Sequence, residues 1–473
     1  LFEPDEGRYA EIPREMLLRG EWVIPYLQGE PYLDKPPLLY WLVMGSYRLL
    51  GVHDWSARLV PALAIHAAIL LNYWLGRRRL GERPAFWGAL ALSLAPGFLC
   101  MGRLLLLDGL LALWVTLSWF AAFEAIRGDR LRWGWWLTAA AACGLGILTK
   151  GPVALVLLLP PWFAYRWLTG RSCPVPIRAW GAFVGVLAGV VLPWYGAICL
   201  RMPAFAGYFL WEHNVVRFLV PFDHQRPVWF YGPILLGGML PITLLVLPFL
   251  RFLFTGDQGV SRHRCPELGL VLLAGGWCVL FFSLSGCKLP TYVLPAFPPL
   301  ALALGYYFCQ SRWRNSWWVP ACAVLMTGCL GAVHYFFLPL YALYHSPLGN
   351  REEIVRSCGS TYTPIVCYPR NCDSVAFYLE RDDFRNYRSK YTPDLVRFLK
   401  DQRRTVILFT HRHSLEALRP SLPGDLRLTG EQSLGWCPSP WANWAFTGLR
   451  RLSGETRQEL YYLAVVEQRS AGD

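Results

Sequence analysis

The sequence predicts a polytopic, all-helical membrane protein that ends in a small α/β soluble domain. Three observations carry this reading. Hydrophobic residues make up 54% of the 473-residue chain and charged residues only 16%, against about 25% charged in an ordinary soluble domain. The mean hydropathy is +0.30. Apolar runs of membrane-spanning length recur up to about residue 340 and then stop. This composition excludes a disordered chain, a collagen-like fibre and a small disulfide scaffold. It also argues against a soluble nucleic-acid binder, although 45 Lys and Arg against 32 Asp and Glu leave a formal net charge of +13. No nucleic acid is expected among the partners. The chain begins at Leu1, within a polar stretch, and an upstream membrane anchor is expected to precede it.

Spans are predicted near 55–76, 84–100, 104–126, 133–149, 151–168, 179–200, 230–254, 267–285, 290–310 and 317–340. Pro96, Pro160, Pro161, Pro193, Pro241, Pro295, Pro298 and Pro299 fall inside them, as membrane helices tolerate when neighbours satisfy the freed backbone groups. The loops between them carry unequal charge. One alternating set holds Arg77, Arg78, Arg79, Arg83, Arg127, Arg130, Arg132, Arg166, Arg171, Arg178, Arg251, Arg262, Arg264, Arg312 and Arg314. The other holds only Arg103, Lys150, Arg201, Arg217, Arg226 and Lys288. The first set is therefore cytoplasmic, and much of the net charge is a topology signal. Residues 1–54, Lys150, 201–229, 286–289 and everything after 340 face outward.

Segment 36–51 is apolar but short, and counting it as a span would put the Arg clusters outside. It reads as a helix lying at, or dipping into, the outer surface. Residues 5–19 read similarly, with Ile12, Met16 and Leu17 on one face. The tail is polar with short apolar runs. Segments 365–368, 405–409 and 463–466 read as strands, 394–400 and 414–418 as helices, and 351–356 as part of the connection. Three parts result: 1–54, outward juxtamembrane helices and first loop; 55–344, the multi-span domain; and 345–473, an outward α/β domain. Of the 14 Cys, Cys358, Cys367, Cys372 and Cys437 lie in this outward tail. An even number in an oxidising compartment permits two disulfides in three pairings. The spacing of Cys367 and Cys372 is a poor zinc signature without a second pair.

Ionisable groups at a membrane surface are costly unless used or paired, yet the outward loops collect them. Asp5, Glu6, Arg8 and Glu11 come first, then Asp34 and Lys35 before Pro36. Asp108 sits one turn into a span. Glu212, His213 and Arg217 share a long loop with Asp223, His224 and Arg226, and Lys288 and Tyr292 open a later span. Each has a plain structural alternative. Asp5 could cap a helix. Glu6 and Arg8 could be solvated or ion-paired, and Asp34-Lys35 could form a turn. Arg217 and Arg226 could meet anionic headgroups, and His213 could be an ordinary loop residue. Asp108 is hardest to dismiss, because a carboxylate inside a membrane helix is a functional candidate by default. All these groups fall on one side of the membrane. Cations there suit a phosphate-bearing substrate with a lipid tail, and a carboxylate such as Asp5 suits a general base.

Asp5-Glu6-Gly7-Arg8-Tyr9-Ala10-Glu11, followed by Asp34-Lys35-Pro36-Pro37 and Tyr40-Trp41, resembles the family-39 type of GT-C glycosyltransferase. The narrower likeness is to the aminoarabinose-transferase (ArnT-like) branch, related to protein mannosyltransferases. Asp108 after Arg103, Leu148-Thr149-Lys150-Gly151-Pro152, Glu212-His213-Asn214 with Arg217-Phe218, and Lys288-Leu289-Pro290 with Tyr292 agree in order. The likeness runs from residue 2 to about 305.

The resemblance implies a GT-C fold and an inverting transferase at the outer face of a bacterial inner membrane. It would take a sugar from a polyprenyl-phosphate donor to a glycolipid, polymer or protein acceptor, aminoarabinose to lipid A being one version. It matches Asp5 and Asp108 to catalytic carboxylates, and Arg8, Lys35, Arg217 and Lys288 to phosphate-binding cations. Glu6, Asp34 and Tyr292 fall in the substrate pocket. No cofactor is certain. A divalent ion is a weak candidate, with Asp34 and His213 as its holders. The alternatives are a protein O-glycosyltransferase of the mannosyltransferase type and, in a different class, a transporter using Asp108 and Lys150. A binding or sensor protein whose working part is the tail is a third class.

Overall fold

The computed structural model describes residues 1, 5–169, 173–220, 224–339, 351–359, 363–381, 383–410, 412–434 and 461–468. The chain forms two compact units. One comprises residues 20–25 and 31–330; the other comprises 1–19, 26–30 and 331–473.

The first unit is helical. Asp54–Leu80, Leu107–Ala125, Ile177–Arg201, Pro266–Leu284 and Pro290–Gln310 are each long and apolar enough to cross a membrane, as is Trp318–Phe337, which runs past residue 330. Two of the expected spans are bent. Segment 84–100 divides into Glu82–Leu94 and Pro96–Arg103 at 59°. Pro96 lacks the N–H that would continue the ladder, and it drives Ala95 to extended backbone (φ −69°, ψ 111°). Segment 230–254 divides into Val228–Gly238 and Ile242–Phe254 at 113°, where two glycines are followed by Pro241. Trp133–Lys150 and Val153–Thr169 meet at Gly151. Leu38–Leu50, only 13 residues long, falls short of spanning length; Leu39, Tyr40, Val43 and Met44 are fully buried.

Leu107–Ala125 occupies the centre of this unit, packed on Asp54–Leu80, Trp133–Lys150 and Val153–Thr169. Indole N–H groups tie these helices together. Trp119 donates to the Leu157 carbonyl at 2.8 Å, and Trp136 of the adjacent helix donates to the Ala179 carbonyl at 2.8 Å. Such bonds satisfy buried polar atoms while the rings fill space. Glu82–Leu94 packs on Phe297–Gln310 so closely that a Cβ on Gly305 would lie 2.5 Å from the Gly88 nitrogen; small residues allow that approach.

A buried ion cluster marks the far end of the central helix. Glu124 receives Arg79 at 2.8 Å and Arg132 at 3.3 Å, with Arg127 at 3.9 Å. Three Arg that the loop-charge count assigns to one membrane side thus share a single carboxylate.

The second unit contains helix Asp5–Arg19 and a five-stranded sheet. Its strands are β1 (Ile365–Tyr368), β2 (Arg385–Asn386), β3 (Arg404–Phe409), β4 (Leu426–Ser433) and β5 (Tyr462–Gln468), in the order β2-β1-β3-β5-β4. β1 pairs parallel with β2 and β3, while β5 runs antiparallel to β3 and β4. Ile365 and Cys367 face one core, and Val366 and Tyr368 face the other. Burial on both faces is why the strands read as short continuous apolar runs. The three expected strands and two expected helices are present. Helices Arg351–Cys358 and Asp373–Leu379 and strands β2 and β4 are additional. Cys358 and Cys367 hold buried, unbridged thiols, so neither joins an expected disulfide. Cys437 lies outside the described residues.

Candidate functional site

A cavity of about 350 Å³ opens in the helical unit, lined by Asp34, Lys35, Lys150, His213, Arg217 and Tyr292 among its polar residues. Its remaining walls include Val153, Val156, Phe209, Leu210, Phe218, Phe281 and Phe282. Positive side chains and an apolar wall therefore share one space.

Local sequence explains how these groups arrive. Asp108 lies in the first turn of Leu107–Ala125, and Lys150 is the last residue of Trp133–Lys150. The Lys150 ammonium donates to Asp108 Oδ1 at 2.5 Å and sits 4.1 Å from the Tyr292 ring centroid. Asp108 is 6% exposed, so the ion pair is buried. Gly151 ends the helix at φ +94°, a conformation L side chains rarely adopt. A Cβ there would also meet Phe209 at 3.0 Å and the Asn214 amide oxygen at 3.2 Å. The run Thr149-Lys150-Gly151-Pro152 thus stops one helix, presents Lys150 and admits Phe209 in a single stroke.

The π-helix Ala206–Val216 supplies the opposite wall and leads directly into Arg217. Extended π-helix is rare and occurs mostly at functional positions. The Tyr208 hydroxyl donates to Asp34 Oδ1 at 2.6 Å, and His213 Nε2 stands 3.7 Å from the same oxygen. Burial and the Asp34 carboxylate push the Tyr208 phenol up, which keeps it a donor. Among the described residues no group of three or more His, Cys, Asp or Glu is arranged to hold a metal; Asp34 and His213 form a pair only. Asp223 lies outside the described residues.

Lys35 is half-buried. Burial pushes its ammonium down to about 8; Lys150 and Arg217 push the same way, while Asp34 and Asp108 oppose them. A lysine whose charge is opposed by two other cations marks a site with positive charge to spare. Lys288 is used differently. It is 4% exposed, its ammonium donates to the Arg226 carbonyl at 3.0 Å and to the Ser285 carbonyl, and burial lowers its pKa. Its backbone N–H donates to the His224 carbonyl at 3.0 Å, and Gly286 N–H donates to Phe218 at 2.9 Å. Lys288 therefore clasps the chain just beyond Arg217.

Asp5, Glu6 and Arg8 belong to the other unit. Asp5 starts helix Asp5–Arg19 and is half exposed, whereas Glu6 is 2% exposed. Arg8 stands between two carboxylates: Asp5 Oδ1 at 3.6 Å from Nη1, and Asp373 Oδ2 at 3.5 Å from Nε.

The sequence singles out most of these residues, but it gives Lys150 no phosphate-binding role and does not mark Tyr208 or Asp373. Lys150 carries a signal, being a Lys that closes an expected span before Gly-Pro. Tyr208 and Asp373 carry none.

The fold is similar to that of solved integral membrane proteins of the GT-C type. By sequence and fold the chain is ArnT-like. Residues 2–209 match the family described as dolichyl-phosphate-mannose-protein mannosyltransferase. The undecaprenyl phosphate-alpha-4-amino-4-deoxy-L-arabinose arabinosyl transferase of Edwardsiella ictaluri is 36% identical over 318 residues, covering 65% of this chain and 55% of that protein. The Erwinia tasmaniensis protein of the same name is 33% identical over 75% of this chain and 64% of its own. The chain thus spans between half and two thirds of the length of these relatives. Among solved structures, ArnT from Cupriavidus metallidurans, crystallised with undecaprenyl phosphate, shares the fold at a TM-score of 0.73 and 20% identity, over 98% of this chain and 94% of that one. Archaeal oligosaccharyltransferase AglB from Archaeoglobus fulgidus follows at 0.52 and 14%, over 85% and 65%.

Proposed function

We propose that this protein is a glycosyltransferase of a bacterial inner membrane that takes a sugar from a polyprenyl-phosphate donor to an acceptor at the outward face, with aminoarabinose and lipid A as the leading pair. The observation that carries the reading is the cavity in which Lys35, Lys150 and Arg217 stand against an aromatic and aliphatic wall. A polyprenyl phosphate has those two halves. Its phosphate would meet the cations, Arg217 in bidentate fashion, and its tail would follow the apolar side. The loop-charge asymmetry supports the outward orientation, and the names of the relatives support the sugar.

In the reaction the acceptor oxygen bonds to the anomeric carbon as the bond from that carbon to the phosphate oxygen breaks, with inversion. Polyprenyl phosphate leaves, its added negative charge met by cations already in position. Asp108 holds Lys150 toward that charge. Lys288 and Asp34 support the chain segments around Arg217 and His213. On the resemblance alone, Asp5 faces the acceptor and Arg8 adds a phosphate contact. If the acceptor is a hydroxyl, its proton passes to Asp5; if it is a phosphate oxygen, Asp5 orients it.

The test is mass spectrometry of lipids from cells making wild type or Asp5→Asn at equal levels. A polyprenyl phosphate-sugar that accumulates only in the variant, with a matching loss from a glycolipid, supports the reading and identifies both substrates. The match to the protein-mannosyltransferase family favours a protein acceptor as second reading, which gives the first change without the second. No change in any polyprenyl lipid removes both.

A further inference from the structure

The polar core of the second unit centres on one side chain. Asp373 opens the short helix Asp373–Leu379 and is fully buried. Its Oδ1 accepts the Asn386 amide at 2.6 Å and the Gln28 amide at 2.7 Å; its Oδ2 faces Arg8 Nε at 3.5 Å. Gln28 is itself fixed. It lies at φ +56° in the turn before Gly29, and the Glu15 carboxylate accepts the backbone N–H groups of both Gln28 and Gly29. Helix Asp5–Arg19, this turn and the sheet domain therefore converge on Asp373.

A buried carboxylate is retained only when its surroundings compensate it. Burial pushes the Asp373 carboxyl up to about 6, and Arg8 is the first of the groups that hold it from rising further. The guanidinium is thus anchored on its buried side by Asp373, while its other edge faces Asp5, which is half exposed. This is the arrangement in which one acidic group orients a second residue that positions the reacting group.

We propose that Asp373 is a positioning residue: it fixes Arg8, and through Arg8 the Asp5 carboxylate, so that the C-terminal domain governs the geometry of the transfer step. The inference rests on the proposed glycosyl transfer and on Asp5 taking part in it. It gives the tail a task that its sequence does not announce. The carboxylate has no need to touch substrate, because an ångström of misplacement at a reacting group is enough to cost on the order of 100-fold in rate.

The experiment uses the full chain in detergent, with undecaprenyl phosphate-linked 4-amino-4-deoxy-L-arabinose as donor probe and lipid A as acceptor probe. Undecaprenyl phosphate binding is measured separately. Asp373→Asn is expected to lower kcat about 10- to 50-fold, with undecaprenyl phosphate affinity within about threefold of wild type. Asp373→Glu is expected to recover part of the loss. The double variant Arg8→Ala/Asp373→Asn should be no slower than Arg8→Ala, because both changes remove one arrangement. Multiplying losses, or a kcat for Asp373→Asn equal to that of wild type, overturns the proposal. Should Asp373→Asn fail to fold, Gln28→Ala leaves every charge in place and loosens the same carboxylate. A fall in kcat of about threefold that disappears in the Arg8→Ala background supports the inference, and an unchanged kcat overturns it. A wild type that neither binds undecaprenyl phosphate nor transfers from the probe counts against the proposed function. A wild type that does both, beside an unaffected Asp373→Asn, counts against the inference alone.

Discussion

Asp108 and Lys150 meet at 2.5 Å across two packed helices, the carboxylate in the first turn of one and the ammonium at the last residue of the other. Each charge sits at the helix end whose dipole favours it. The pair neutralises a carboxylate that the membrane would otherwise penalise, and it leaves the Lys150 ammonium against the Tyr292 ring at the cavity wall. Replacing Lys150 with Met strands Asp108 in a buried site. Thermal unfolding in detergent should show a loss of about 3 kcal/mol or more. Asp108→Asn/Lys150→Met should regain stability but not transfer activity, since the cation that the proposed reading sets against the phosphate is gone.

On the proposed reading, phosphate recognition by three cations should be graded. Lys35→Ala, Lys150→Ala and Arg217→Ala should each weaken undecaprenyl phosphate binding, measured by titration into the detergent-solubilised protein. A charge-assisted hydrogen bond contributes about 1.5–3 kcal/mol, so roughly 10- to 100-fold is expected for each. Arg217→Lys should restore only part, because an ammonium cannot make the paired contact of a guanidinium. Equal affinity in all three variants would move the donor phosphate elsewhere.

The depressed pKa of Lys35 predicts a pH limb. Its ammonium titrates near 8, so kcat/KM of the free enzyme should fall as pH rises through 8, and Lys35→Arg should abolish that limb. The stability effect has the opposite sign. Between about 8 and 10.4 the unfolded chain holds a proton on Lys35 that the folded chain lacks, so this residue's contribution to stability rises with pH across that window. Bound phosphate favours the ammonium, and saturating donor should shift the limb upward.

Gly151→Ala should fail for a backbone reason. The position needs φ +94°, and the added Cβ meets Phe209 at 3.0 Å. A loss of at least about 1–3 kcal/mol in stability is expected, with reduced undecaprenyl phosphate affinity, because the strain falls beside Lys150. Gly134, with nothing within 4 Å of its Cβ position, is the control and should accept Ala without either effect.

Glu124 separates structure from chemistry. It gathers Arg79, Arg127 and Arg132 and lies at the opposite end of the helix that carries Asp108. Glu124→Ala should lower stability by about 3 kcal/mol by leaving the buried Arg79 guanidinium uncompensated; Arg127 and Arg132 are half exposed and add little. The kcat/KM of the molecules that stay folded should not change. A selective loss of turnover would show that this end of the helix reports to the cavity.

Legibility varied from residue to residue. Helix Asp5–Arg19 and the strands around Ile365, Val406 and Val465 were readable because apolar period and turn residues are local signals. The breaks at Pro96 and Pro241 were readable only as prolines. Whether a membrane proline is tolerated in a straight span or ends it depends on what neighbours offer the freed carbonyls. Asp34, Lys35 and Arg217 could be singled out as charges in an apolar setting. Tyr208, which holds Asp34, reads as one more aromatic, and Asp373 lies in a polar stretch of the tail where no element is expected.

The sequence by itself determined that this chain is a membrane protein with a polar α/β tail, and on which loops its cations lie. Hydropathy and charge are sums over neighbouring residues, so they need no knowledge of contacts. Only the tertiary structure decided that Asp108 neutralises Lys150, that Lys35, Lys150 and Arg217 face one cavity, that Lys288 is turned to backbone carbonyls, and that Arg8 is anchored by Asp373. These relations join residues far apart along the chain. They exist because packed helices and a sheet bring particular charges into low dielectric, where each must find a partner, and the sequence does not say which one.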